Sequence, residues 1–366
     1  MPTPTSITRR KLLVGGACLY CVGVGGAREK TLEERVVPAR AANSTPRKTT
    51  RIALADDITG ETTPIALADN ITPHASRTTA EARGFVTDEV APGIHIRRGV
   101  DEDVTAQNGN VIANIGFIVG RNAVAVMDPG GSLVDGEGLR TAIRQTTQLP
   151  IKYVVMSHVH PDHVFGAPAF QKDHPQFVGH ARLPQALALR EAFYRRRLEE
   201  TLGKSHAGGV VAPTLLVKDH IEIDLGGRVL ALTAHDIAHS DCDLSVLDRA
   251  TGTLLTADLL FVRRVPSLDG SLRGWLRELE KLKAIAARRA VPGHGPTSVD
   301  WPSGVRDLER YLGILLRETQ GAIAKGMDLA AAINHVAQSE RSRWRLFDDY
   351  NGHNVTQAFK ELEWEQ

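Results

Sequence analysis

SHVHPDHVFG, residues 157–166, places His158, His160, Asp162 and His163 within six consecutive positions of a 366-residue chain that has 14 histidines. The apolar run YVVM (153–156) leads straight into it and reads as a short buried strand. Beyond that strand the pattern predicts a loop. Residues two apart point the same way in extended chain, so His158 and His160 can chelate one ion. Asp162 and His163 then turn away and can reach a second ion, with Pro161 stiffening the turn between the pairs. Imidazole and carboxylate donors together suit zinc, with iron or manganese as alternatives.

Two ions need more donors than one loop supplies. They are expected at strand ends, where a sheet presents its loops. LALTAHDIAHSDCDLSV offers His235 and His239, and TLLTADLLF is read as a strand ending at Asp258. AVPGHGP presents His294 between two glycines, where the backbone can turn tightly. A carboxylate at Asp258 can bridge two cations, because each oxygen can bind one.

Outward from these segments, strands are predicted at IHIRRG (94–99), VIANIGFIVG (111–120), AVAVMDPGG (123–131) and in four close runs from 220 to 261. Helices are predicted at 134–148, 181–203 and 271–287, and the C-terminal third from about residue 300 is mainly helical. Strands and helices alternate within each half, which implies an α/β layering around buried sheets. The folded part is expected to run from 84 to 366 as one domain.

The N-terminus reads as an address. Arg9, Arg10 and Lys11 precede a short apolar, glycine-rich run ending in small residues near Ala27. That run is short for a membrane span and fits a twin-arginine export signal over 1–27, leaving no stable membrane anchor after removal. The expected location is periplasmic or otherwise exported. Residues 28–83 are rich in Thr, Ala, Pro and Arg without a sustained period and read as a low-order linker. Within it IALADDIT (52–59) recurs as IALADNIT (65–72), too few copies for a solenoid. Two of the three cysteines lie in the signal, so the mature chain keeps Cys242 alone and has no internal disulfide. Net charge is +1 and aromatic content 5%, which gives no footprint for nucleic acid. The expected partner is a small-molecule substrate.

The order of HVHPDH, AHS, AD and GHG resembles the metallo-β-lactamase-fold hydrolases over roughly 84–300. The resemblance implies a four-layer αββα sandwich with two Zn2+ ions at the edge between the sheets. It implies His158, His160 and His239 on one ion, and Asp162, His163 and His294 on the other, with Asp258 bridging. Asp128, in MDPG, matches a residue that supports the metal loop without binding metal. His235 is expected behind the site and Cys242 as a packed thiol. ADLLFVRRVPSLDGSLRGWLRELEKL and the ending NVTQAFKELEWE look like the quinoprotein relay system zinc metallohydrolases, exported proteins found beside quinone-cofactor dehydrogenases.

Two ions of this kind lower the pKa of a bridging water enough to give hydroxide near neutral pH. Asp162 and Asp258 are the expected catalytic carboxylates, Asp162 by orienting the nucleophile or shuttling its proton. Arg264 is the expected substrate-binding residue, for an anionic group. Relatives with an aspartate at the position of Asp258 generally cleave esters, thioesters, lactones or phosphoesters, and true β-lactamases generally lack it. Ester, thioester or lactone hydrolysis is therefore the expectation. The alternatives are a β-lactamase-like amide hydrolase, a mononuclear iron persulfide oxygenase, and a non-catalytic metal-binding partner of a dehydrogenase.

Overall fold

The computed structural model describes residues 85–365; the expected export signal and the expected linker with its repeat lie outside the described residues. Two sheets carry the fold. The first contains β1 (Asp88–Ala91), β2 (Ile94–Arg97), β3 (Ile115–Val119), β4 (Val124–Met127), β5 (Ile151–Met156), β6 (Gln176–His180) and β7 (Leu215–Val217), side by side in chain order. The second contains β8 (His220–Asp224), β9 (Val229–Ala234), β10 (Leu244–Asp248), β11 (Thr253–Phe261), β12 (Arg289–His294) and β13 (Val299–Asp300), again in sequence order.

The helices are α1 (Leu133–Thr146), α2 (Pro161–Val164), α3 (Leu183–Leu202), α4 (Lys204–Ala207), α5 (Leu272–Lys283), α6 (Arg306–Ala324), α7 (Leu329–His335) and α8 (Phe347–Leu362). Ser132 starts α1 by accepting from the Asp135 N–H, and Ser271 starts α5 by accepting from Gly274 N–H.

Strand side chains alternate between faces, and the alternation sorts the core into three layers. Ile118, Ala125, Met127 and Val155 point inward with Leu232, Val246, Leu255 and Val291 of the second sheet. Their strand neighbours Phe117, Val124, Val126, Val154 and Met156 point outward against Leu139 and Ile143 of α1 and Leu183 and Leu187 of α3. On the far side Leu254, Leu260 and Ala290 pack with Trp275 and Leu279 of α5, Tyr311 and Leu315 of α6, and Val355 and Ala358 of α8. Three apolar layers between four structural layers make the αββα sandwich.

Three local readings are corrected. Residues 111–114 do not extend β3. Asn114 instead receives Gly99 N–H on Oδ1 and donates from Nδ2 to the Pro292 carbonyl, tying this segment to the end of β12. The expected loop after β5 contains the short helix α2, begun by Pro161, whose fixed φ and missing N–H suit a first helical turn. β11 does not end at Asp258 but runs to Phe261, with every residue buried. Its register against β12 shifts on both sides of Ala257, which adopts φ 46°. This bulge turns Asp258 out of the ladder. β1, β6, β7 and β13 were not expected from the sequence; all but β6 have four residues or fewer.

Candidate metal centre

The sheets deliver their donors to one end. β5 runs into His158 and His160, and α2 turns Asp162 and His163 back toward them. His239 lies in the loop after β9, Asp258 follows the bulge in β11, and His294 closes β12. All seven expected donors are brought together. They form two groups, His158, His160, His239 and Asp258 in one and Asp162, His163 and His294 in the other, with the donor atoms of each within 4.8 Å of one another.

In the first group His160 Nδ1 is 3.0 Å from both His158 Nε2 and His239 Nε2. In the second, Asp162 Oδ2 is 3.3 Å from His294 Nε2 and 3.6 Å from His163 Nε2. The Asp258 carboxylate faces both groups. Its Oδ2 lies 3.6, 3.4 and 3.4 Å from the Nε2 atoms of His158, His239 and His294, and its Oδ1 lies 3.0 Å from His163 Nε2.

The residues fit a pair of metal ions. Tetrahedral zinc with bonds of about 2.0–2.1 Å puts neighbouring donors ~3.3 Å apart, which is the spacing seen here. His163 Nε2 and Asp258 Oδ1 are buried and have no hydrogen-bond partner among the described residues. Buried polar atoms without partners are costly, and an ion between them would satisfy both. A Cβ at Gly293 would sit 1.9 Å from Asp258 Oδ1, so the carboxylate occupies space that only glycine leaves open. The second glycine beside His294 serves a different need: Gly295 adopts φ 115°.

Each histidine is also held from behind, which fixes the nitrogen turned toward the cluster. His158 Nδ1 lies 2.9 Å from Ser157 Oγ, and His163 Nδ1 lies 2.8 Å from Asp128 Oδ2. Asp128 also receives the Ser157 N–H at 2.7 Å and its hydroxyl at 2.8 Å. It adopts φ 56°, a left-handed conformation that its surroundings must enforce. Asp128 thus backs the donors and belongs to neither group. His239 Nδ1 lies 2.7 Å from the Ser267 carbonyl, and His294 Nδ1 lies 3.0 Å from that of Ile112. His160 turns the other way, with Nε2 2.6 Å from Asp269 Oδ2.

Charge and burial oppose each other at Asp258, Asp162 and His163. Burial pushes the Asp258 carboxyl up, but His163, His294 and His158 outweigh it and hold the group well below the usual carboxylate range. Asp162 is held low in the same way by His163 and His294. Burial lowers His163, yet Asp258, Asp162 and Asp128 together raise it well above the ordinary imidazole value. His158 is driven well down, first by burial and then by His163.

Asp269 was missed by the sequence reading. Its neighbourhood, PSLDGS, carries no ligand-like spacing, and its partner His353 is 84 residues further on. Burial opposes ionisation of Asp269, but hydrogen bonds from His160 and His353 hold it well below the ordinary range. The structure places Arg264, the expected substrate-binding residue, behind the donors. It is 5% exposed, with Nη1 3.2 Å from His294 Nδ1 and Nη2 donating to the Tyr350 hydroxyl at 3.0 Å. His235 stands outside both groups, with Nδ1 2.9 Å from Glu278 Oε2 and Nε2 2.8 Å from Ser245 Oγ. Cys242 is buried, and burial raises its thiol well above the ordinary value. His160 and Asp162, at 9% and 8%, are the most exposed donors, and Asp269 has 32% of its side chain exposed. The centre therefore opens on that side.

Residues 108–294 match the metallo-beta-lactamase superfamily. A linear primary-alkylsulfatase from Pseudomonas sp. (strain ATCC 19151) is 25% identical over an alignment of 237 residues that covers 54% of this chain and 43% of that protein. The chain thus spans less than half the length of the curated relative it matches. A stereoselective inverting sec-alkylsulfatase from Pseudomonas sp. superposes with a TM-score of 0.57 at 18% identity, covering 75% of this chain and 50% of that one. A metallo-beta-lactamase from Pontibacter korlensis superposes with a TM-score of 0.51 at 17% identity, covering 62% of this chain and 98% of that one. At such identities these two structures share the fold with this chain.

Proposed function

This chain belongs to the metallo-beta-lactamase superfamily, and from that premise we propose that it is an exported dinuclear zinc hydrolase of ester-type bonds in a small molecule. The observation that carries the reading is the Asp258 carboxylate, set by a strand bulge between two groups of donors and facing both. When bound, the ions supply an activated water and polarise the oxygen of the bond to be cleaved. The protein supplies everything else. Asp258 has Oδ1 beside His163 and Oδ2 beside His158, His239 and His294, so its carboxylate would be the ligand shared by the two groups in this reading. Asp162, held as a carboxylate by His163 and His294, lies on the open side, where it would orient the attacking water by accepting a hydrogen bond from it. Asp128, Ser157 and Asp269 keep the imidazoles in the orientation that presents one nitrogen inward. Burial of the donors excludes bulk water and strengthens each electrostatic contact.

Ester, thioester and lactone substrates are the primary class, on the strength of an aspartate at position 258. Sulfate esters are a second reading, favoured by the match to the alkylsulfatase. A panel containing a p-nitrophenyl ester, a thioester, a lactone, an alkyl sulfate and a β-lactam separates these. Turnover of the β-lactam alone would overturn the ester-type reading. Export rests on Arg9 and Arg10, and their replacement by lysine should retain the protein in the cytoplasm. The link to a quinoprotein dehydrogenase rests on resemblance of the β11–α5 segment and the C-terminal ending. Unchanged dehydrogenase activity in a strain lacking this protein would remove it.

A further inference from the structure

Helix α8 lies beyond residue 294, where the match to the superfamily ends. One of its faces carries Tyr350, His353 and Asn354, at i, i+3 and i+4. Each reaches the backing of a different histidine of the metal centre. His353 Nε2 lies 2.9 Å from Asp269 Oδ1, and the other oxygen of that carboxylate lies 2.6 Å from His160 Nε2. Asn354 donates from Nδ2 to the Pro266 carbonyl at 2.7 Å and accepts the Leu268 N–H on Oδ1 at 2.9 Å. It therefore grips both sides of Ser267, whose carbonyl lies 2.7 Å from His239 Nδ1. The Tyr350 hydroxyl accepts from Arg264, which lies against His294, and donates to Asp103 Oδ1 at 3.0 Å. The helix itself is anchored by Phe347, Val355, Ala358 and Leu362, all buried.

We infer that α8 is the outer wall of the metal centre, and that His353 and Tyr350 are positioning residues that hold His160 and His294 in register with their ions. The inference rests on the metallohydrolase reading above. His353 acts at one remove: it pins Asp269, and Asp269 fixes the ring of His160 with Nδ1 inward. Asp269 is partly exposed, so without His353 nothing in the described residues but His160 itself would hold its side chain. Tyr350 acts on the second group through Arg264, whose guanidinium it holds packed against the ring of His294 while His294 Nδ1 donates to the Ile112 carbonyl. The two residues stand one helical turn apart and serve different ions, so their effects should be separable.

The test uses the full chain with three substitutions: His353→Ala, His353→Gln and Tyr350→Phe. Zinc affinity is measured by competition with a chromophoric chelator, the ligand field by cobalt absorption, and the fold by melting of the metal-free protein. Outer partners of metal ligands typically contribute about 10–100-fold in affinity. His353→Ala should weaken one ion by about tenfold and shift the cobalt bands. Glutamine, whose amide N–H can replace Nε2–H, should restore most of both. Tyr350→Phe should weaken the other ion by about threefold. Two ions in the wild type with unchanged affinities and cobalt spectra in every variant would overturn the role of α8 alone. So would equal losses in His353→Ala and His353→Gln that track a lower melting temperature of the metal-free protein. A wild type that holds no ion would sink the metallohydrolase reading, and this inference with it.

Discussion

The two sides of the metal centre are built differently. His158 and His163 are 1% and 0% exposed, and Ser157 and Asp128 at the ends of adjacent parallel strands hold them. His160 and His239 depend on the chain at 267–269, which is in turn held by α8, more than 80 residues further on. The first support sits directly at the ends of two paired strands of one sheet. The second is a loop clamped by side chains, and it borders the open side of the centre. In the dinuclear reading proposed above, the sheet side would hold the ions while the loop side would adjust to a substrate.

The comparison predicts graded responses. Asp258→Ala touches both sides and should have the largest effect. It should remove at least one ion and reduce hydrolysis by more than the ~100-fold that outer partners reach, because no nearby carboxylate replaces a charge facing both groups. Elemental analysis and turnover at saturating zinc check this; a variant that keeps two ions and full turnover would break the comparison at its centre. Asp128→Ala should come next. It strips one buried side of three contacts, and should weaken zinc by about 10–100-fold and also lower the melting temperature of the metal-free protein. Asp269→Asn should be milder on the loop side, near tenfold in zinc affinity, because the amide oxygen can still accept from His160. Equal losses in Asp128→Ala and Asp269→Asn, in affinity and in melting, would erase the distinction between sheet-side and loop-side support.

His235→Ala should be the smallest for metal and purely a matter of stability. It leaves buried Ser245 Oγ and Glu278 Oε2 without their imidazole partner, Glu278 keeping only Lys281 on Oε1, a cost of about 1–3 kcal/mol, while both ions stay bound. Burial raises the Glu278 carboxyl, but its bonds to His235 and Lys281 win and draw it down to about 2. A carboxylate depressed on folding stabilises above its unfolded value, roughly 4.3, and loses that contribution as pH falls through the folded value. The melting difference between His235→Ala and the wild type should therefore be full near pH 6 and shrink as pH falls from about 4 toward 2. A constant difference over that range would remove Glu278 from the explanation.

The sheet side was legible in the sequence because its signals are local. HVHPDH follows directly on a readable strand, and MDPG lies at the end of another. The three later segments could be placed at sheet ends because each adjoins an apolar run. How Asp258 reaches the site was not legible: it depends on a bulge at Ala257, and nothing in TLLTADLLF marks a register shift. The loop side was not legible either. Asp269 and His353 look like ordinary polar residues until folding closes a separation of 84 positions. Arg264 illustrates the converse. An arginine pair after the strand suggested contact with an anion, but the backbone turn at Arg263, with φ 69°, sends Arg264 inward beneath His294. Short strands such as β7, three residues long, carry too little pattern to be read before their neighbours are known.

The central claim is that the seven donors form one centre for two ions, and the most direct test is the metal content of protein purified without chelators. Elemental analysis should find close to two zinc ions per chain, falling toward one in His294→Ala, which leaves the first group intact. One tightly held iron per chain with no zinc, unchanged by His294→Ala, would contradict the account.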